Sequence, residues 1–511
     1  MADLLEERGS HLRDLPFRVY SESHAYRGTV GDVLDLAKRF ATTLGTLGLE
    51  PGDVVVIQLP NWMEAAAAFW GTLWFGAVCV PVVHFYGRKE LAYILQDSGA
   101  KALVTASNFR HLNYLSNLDS LRQQAPDLQH IFVVGEPAPG TTPFETAFGA
   151  RALDEPSAVD PADPAIIAYT SGTTADPKGV IHSHQTTLSG VSMPLNSADP
   201  RPGLVGTPVG HVTGMTHALI LPIVTGKPIH MIDVWAPERV LELMLNENLV
   251  FSGGPTYFVT SLLDSPSFTK AHLDHIRYVG MGGSKIPRAV ADRLRDLGCV
   301  VKRVYGSSET LTATASDWND PESKRLYTDG RAMNGTELRI VDEEGNELPC
   351  GREGEIWVRS PRLFLGYTNA ALTAHTMTSE GWYRTGDVGA LDEDGYLTIT
   401  DRIQDIIIRG GENISSTEVE DQLLRMPGVQ DVAVISTPDE RFGERVCACI
   451  VTSSTAPPPS LETIHAFLAQ RGLARPKWPE QLQLFQSDLP RTASGKVRKF
   501  ELRQLIAAQE T

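Results

Sequence analysis

The stretch Tyr169-Thr-Ser-Gly-Thr-Thr-Ala-Asp-Pro-Lys-Gly179 constrains this chain more than any other. The apolar run Ala165 to Ala168 precedes it and Val180-Ile181 follows it. The pattern is therefore strand, polar turn at Asp176-Pro177, strand. Gly172 lets a ligand approach the backbone closely. Backbone N–H groups and the hydroxyls of Thr170, Ser171, Thr173 and Thr174 are donors suited to phosphate oxygens, and Lys178 adds a point charge. The segment is not the P-loop G-x-x-x-x-G-K-[ST], because Gly179 follows the lysine. A surface hairpin with a polar tip is the plainer reading of the same residues.

A chain of 511 residues is long for one core and fits two or three domains. The formal net charge of −17 argues against nucleic-acid or anionic-membrane partners, which need a basic excess. Five cysteines, at positions 79, 299, 350, 447 and 449, have no metal-ligand spacing, and an odd count without a framework suggests a reducing compartment. No run is long and apolar enough to span a membrane, and residues 1–7 lack the pattern of a secretory leader, so a cytoplasmic location is expected.

Residues 30–48 carry apolar side chains at helical spacing. Short strands at 54–59, 78–83, 102–105 and 130–134 alternate with helices, which predicts parallel α/β layering. The Pro- and Gly-rich residues 136–164 are expected to form a loop. From 337 to 400, short strands separated by Gly and Asp turns predict a β-rich subdomain. Beyond Asp401-Arg402, strands at 406–408, 432–435 and 446–451 and helices from Ser415 and over 461–470 predict a compact α+β domain, residues 401–511. Ser415-x-x-Glu418 is a capping-box pattern.

Tyr169 to Gly179 resembles the phosphate-loop signature of the adenylate-forming superfamily, which includes acyl-CoA synthetases and peptide-synthetase adenylation domains. Other segments resemble further motifs of that superfamily, in the same order along the chain. Tyr305-Gly-Ser-Ser-Glu-Thr310 is similar to its Tyr-Gly-x-Thr-Glu motif, with Ser308 in place of Thr. The resemblance gives Tyr305 as a flat ring for adenine, Gly306 and Ser308 as nucleotide contacts, and Glu309 as the Mg²⁺ ligand. Gly283 and Ser284, in Gly280-Met-Gly-Gly-Ser284, match the loop between adenine and acyl pocket. Asp387, in Tyr383-Arg-Thr-Gly-Asp387, would accept the two ribose hydroxyls. Asp401 would be a hinge, and Arg402 would contact ribose or phosphate; Gln404 stands where Lys is frequent. Gly410, Gly411 and Glu412 match the loop lining the pantetheine tunnel. Lys496, in Pro490-Arg-Thr-Ala-Ser-Gly-Lys496, matches the catalytic lysine that bridges carboxylate and α-phosphate. His211 falls where the superfamily has an aromatic residue or His facing the carboxylate, and His184 reads as structural support.

The resemblance implies a large multi-layer N-terminal domain, residues 1–400, and a small mobile C-terminal domain, residues 401–511. It implies an AMP-forming acid–CoA ligase using ATP, Mg²⁺ and coenzyme A, and it allows a homodimer. A stand-alone enzyme loading a carrier protein, a luciferase-like oxygenase and a non-catalytic nucleotide- or acyl-binding paralogue are the rivals. Residues 208–217, 251–258, 280–286 and 305–314 are expected to line the acid pocket. Their glycines leave room for a fatty, alicyclic, aromatic or sterol-side-chain acid. Within them only Lys285 and Glu309 could meet a second charge on the substrate.

Overall fold

The computed structural model describes residues 1–511 except 117, 171–176, 192–198, 252, 284–285, 453–456, 493–494 and 510–511. Thr29 caps the helix Val30–Thr46 in a reciprocal capping box with Asp32. Its buried face, Val33, Leu34, Ala37, Phe40, Ala41 and Leu44, packs on Met63–Phe75. That second helix is buried on every side, as its alanines and aromatics require. Trp70 and Trp74 lock it in place, their indole N–H groups donating to the carbonyls of Leu219 and Leu153.

These helices cover an eight-stranded sheet. Val54–Gln58, Val78–Pro81, Ala102–Ala106 and His130–Val134 run parallel, as the alternation predicts. Pro164–Thr170 continues the sheet beside Val78–Pro81, and Lys178–Ser183 turns back antiparallel to it. Thr170 pairs with Lys178, so this hairpin frames the hydroxyl-rich segment. Residues 171–176, which hold Ser171, Gly172, Thr173 and Thr174, lie outside the described residues, as does Ser284. The expected loop 136–164 is not featureless. It carries the strand Thr142–Pro143 and the 3₁₀ turn Phe144–Gly149, whose Phe144 ring packs on Phe40 at 5.1 Å.

A second sheet of five strands begins with Gly253–Gly254, Tyr278–Gly282 and Val300–Tyr305, all parallel. A four-stranded antiparallel sheet follows: Glu337–Val341, Gly354–Arg359, Tyr383–Leu391 and Leu397–Arg402. Gly386 and Asp387 lie inside the third of these strands. Register shifts on both neighbouring strands re-aim the chain there.

The large N-terminal domain is thus joined to a small C-terminal α+β domain. In the latter, Val429–Asp439 and Gly443–Thr452 form a long hairpin flanked by Ile407–Arg409 and Gln481–Phe485. Cys447 and Cys449 share one buried face with Ala433 and Ile435. Ser415 caps the helix Ser416–Leu423, but only half the capping box forms. The Glu418 carboxylate accepts from Lys477 Nζ at 2.5 Å instead of reaching back. Gly410 and Gly411 form the turn of a hairpin in which Glu412 and Asn413 are strand residues, not loop. Among the described residues, no helix is long and apolar enough to cross a membrane.

Candidate active site

One cavity of about 840 Å³ lies where these sheets and the C-terminal domain meet. Thr170 and Lys178 reach it from the first hairpin, Gly283 from the second sheet, and Gly306, Ser308 and Glu309 from the turn after Val300–Tyr305. Asp387 and Arg402 come from the antiparallel sheet, His211 from the loop before Val212–Met215, and Lys496 from the C-terminal domain. Close approach fixes at least one position. A Cβ at Gly306 would sit 1.9 Å from the Leu311 carbonyl oxygen, so no other residue fits that turn.

The two carboxylates at this end are held by neighbouring side chains. Asp387, 5% exposed, accepts from Tyr305 Oη at 2.7 Å and from Arg402 Nε at 2.8 Å. Arg402 is held above its usual pKa, chiefly by Asp387. Glu309 Oε1 accepts from Tyr367 Oη at 2.8 Å. The resemblance gives Tyr305 as a stacking surface, and the structure shows what its hydroxyl does. The Tyr305 ring is buried among Val180, Ile340 and Tyr383 and is not part of the cavity wall. What it offers the site is its hydroxyl, which orients Asp387.

Lys496 sits in a tight turn. The Thr492 N–H donates to the Lys496 carbonyl at 2.7 Å, the Lys496 N–H donates to Thr492 Oγ1 at 3.1 Å, and Arg491 pairs with Asp431. Burial, reinforced by Arg402, lowers the Lys496 pKa to about 8, with Asp387 and Glu309 opposing. His211 caps its helix: its Nδ1 accepts the Thr213 N–H at 3.3 Å, which leaves the proton on Nε2. Burial, with Lys496 adding repulsion, lowers the His211 pKa to about 4, so the ring is neutral. Asn61 pins this loop by accepting the Val209 N–H at 2.8 Å and donating to the Thr207 carbonyl at 3.1 Å.

Gly410, Gly411 and Glu412 are not brought to the cavity; among the described residues they do not contribute to its wall. His184 is buried away from it, and His182 lines it instead. The His182 Nε2 lies 2.7 Å from the Ser308 carbonyl and its Nδ1 lies 3.1 Å from Thr186 Oγ1, so it joins the two nucleotide-side turns. Strand period would have found it: Lys178 and His182 are an even number of residues apart on Lys178–Ser183. The expected pocket segments mostly line the cavity. Arg201, Lys227, Tyr278, Lys302 and Trp318 do so as well, and were missed. The signal for Lys302 was a lysine inside the apolar run Val300 to Val304.

Asp401 accepts from Ser415 Oγ at 2.8 Å and from the Thr417 N–H at 3.3 Å, at the N-terminus of Ser416–Leu423. A carboxylate is favoured there by the exposed N–H groups of the first turn.

Comparison with known proteins agrees with this geometry. The model of the AMP-binding enzyme family matches residues 5–368, and that of the AMP-binding enzyme C-terminal domain matches residues 418–496. A medium-chain fatty-acid–CoA ligase of Escherichia coli is 34% identical over 497 residues, covering 96% of this chain and 88% of that protein. The 3-[(3aS,4S,7aS)-7a-methyl-1,5-dioxo-octahydro-1H-inden-4-yl]propanoyl:CoA ligase of Rhodococcus jostii is 32% identical, covering 94% of each. The crystal structure of ATP-bound MatB from Rhodopseudomonas palustris superposes with a TM-score of 0.88 at 28% identity, over all of both chains.

Proposed function

Because the chain belongs to the AMP-binding enzyme family and is an AMP-forming acid–CoA ligase, we propose that it activates a fatty, alicyclic, aromatic or sterol-side-chain acid through the residues gathered in the 840 Å³ cavity. That one cavity, shared by Lys178, His211, Glu309, Asp387 and Lys496, is the observation that carries the reading. Its size suits a nucleotide together with an acid.

In the first half-reaction a carboxylate oxygen attacks the α-phosphorus of ATP. The P–O bond to pyrophosphate breaks, giving acyl-AMP. Two anions must meet, and protonated Lys496 lies between them to offset the repulsion. Lys178 and the segment 170–174 bind the phosphates. Asp387, oriented by Tyr305 and Arg402, accepts the ribose hydroxyls. The neutral His211 donates its Nε2–H to the carboxylate oxygen that does not attack. Glu309 retains Oε2 without a bond among the described residues, and no cluster of three or more acidic, His or Cys side chains lies with it. One carboxylate plus phosphate oxygens suits Mg²⁺. Bound there, it would neutralise charge on the phosphates.

In the second half-reaction the CoA thiolate attacks the acyl carbonyl, and AMP leaves with its bridging oxygen. Lys496 must then make way. The C-terminal domain turns about Asp401, and the Gly410–Gly411 hairpin replaces the Lys496 turn beside the acyl group. Support for a swing is that both turns belong to one small domain, while only one lines the cavity.

Mass spectrometry on purified protein with Mg-ATP, CoA and a panel of acids tests this reading. Acyl-CoA and AMP from one acid class are the expected result. Acyl-AMP accumulating with CoA untouched would move the acceptor to a carrier protein.

A further inference from the structure

The wall of the cavity away from the phosphates is built from Gly253–Gly254, Tyr278–Gly282 and Val300–Tyr305. Register places Gly253 opposite Gly280, Gly280 opposite Lys302, and Gly282 opposite Val304. Glycines keep this surface flat: a Cβ at Gly253 would meet the Gly280 carbonyl oxygen at 2.2 Å. Lys302 is the one charged side chain those three strands contribute to the cavity wall among the described residues.

Lys302 is only 6% exposed, yet its side chain makes no hydrogen bond or ion pair among the described residues. Its nearest partner is the Trp318 ring, 5.1 Å from Nζ to the centroid. Burial lowers its pKa, while Asp317 and Asp320 oppose this from beyond ion-pair reach. The other basic residues at this end are already engaged. Arg201 pairs with Asp199 at 2.6 Å and Asp274 at 2.9 Å, and Lys227 Nζ donates to the Asp199 carbonyl at 3.3 Å. An ammonium in a cavity wall without a protein acceptor offers its protons to the ligand, and a ligand that displaces water there and leaves it unpaired is rejected. Lys302 also precedes Tyr305 by three positions, about 10 Å of strand. It is therefore set back along the strand from the turn that carries Ser308 and Glu309.

We propose that Lys302 is a specificity-determining residue that binds an oxygen acceptor, a keto oxygen or a second carboxylate, at the far end of the acid substrate. The proposal rests on the ligase reading. It narrows the substrate from an apolar acid to one carrying oxygen at its distal end.

The test uses acids of graded chain length, each ending in a methyl group, a methyl ketone or a second carboxylate. Acyl-CoA formation is measured for the unaltered protein, K302M and K302R. The unaltered protein should favour one oxygenated series at least tenfold in kcat/KM over the matched alkyl acids, and whichever series leads identifies the acceptor. K302M should lose or reverse that preference, and K302R should retain it. Methionine replaces an unpaired buried charge with an apolar chain of similar length, so K302M should melt no lower than the unaltered protein. Preference for alkyl acids by the unaltered protein, or an unchanged ratio in K302M, would overturn the proposal. If no acid yields acyl-CoA, the ligase reading fails separately. Calorimetric binding of non-reactive acyl-sulfamoyl adenosines then decides the role of Lys302: tenfold tighter binding of the oxygenated analogue, lost in K302M, supports it, and equal binding overturns it.

Discussion

The two ends of the cavity are built on opposite plans. At the nucleotide end the two carboxylates are held before any ligand arrives: Asp387 by Tyr305 and Arg402, Glu309 by Tyr367. At the acid end the wall is glycine, and among the described residues the Lys302 side chain has only an aromatic ring beside it. Paired groups are preorganised and hold one geometry for a fixed ligand. An unpaired donor waits for whatever acceptor the variable ligand brings. The difference assigns chemistry to one end and choice to the other.

Perturbing the two ends should therefore give different kinetic signatures. The largest effect is expected from Lys496→Ala. Pyrophosphate release should fall by about 10²–10³-fold, since a charge aimed at the transition state is lost. Thioester formation from synthetic acyl-AMP and CoA should stay within a few fold, because Lys496 has no part in that step. Equal losses in both half-reactions would make Lys496 a structural residue. Asp387→Asn should come next, raising KM for ATP roughly 10- to 100-fold, because it removes the carboxylate that holds Arg402 and accepts the ribose hydroxyls. Its discrimination among acids should not change, which separates it from variants of Lys302.

A smaller effect comes from pH. The active form of Lys496 is protonated, and its pKa is lowered to about 8 in the ligand-free site. Activity should therefore be retained below pH 8 and lost as pH rises through it. kcat/KM for the first half-reaction should fall roughly tenfold between pH 7 and pH 9, and kcat less steeply, since bound ATP adds negative charge beside the lysine. The smallest effect is expected from Tyr305→Phe. Losing the hydroxyl that orients Asp387 should cost about two- to tenfold in KM for ATP. A much larger loss would mean that the ring itself carries adenine.

The same contrast governs how much of the molecule is legible in the sequence. The nucleotide end is written in short motifs, because a fixed ligand demands fixed residues at fixed spacing. Lys178, Glu309, Asp387, Arg402 and Lys496 were all named from the chain, and the structure brings them to one cavity. The strand and helix order was equally plain, because parallel strands buried on both faces are continuous apolar runs such as Val54 to Ile57. What the sequence hid were contacts between segments remote along the chain. The bond from the Tyr305 hydroxyl to Asp387, 82 positions away, is one of them. Lys302 was hidden because its importance lies in lacking a partner, and only packing reveals that.

The account stands most directly on the route of one oxygen atom. If the acid attacks ATP at the α-phosphorus and CoA then attacks the carbonyl, one carboxylate oxygen must end in AMP. Turnover of an acid labelled with heavy oxygen in its carboxylate, followed by mass spectrometry of the nucleotide, reads this out. The account predicts AMP carrying a single heavy oxygen, with unlabelled pyrophosphate. Unlabelled AMP, or label in orthophosphate alongside ADP, would contradict it.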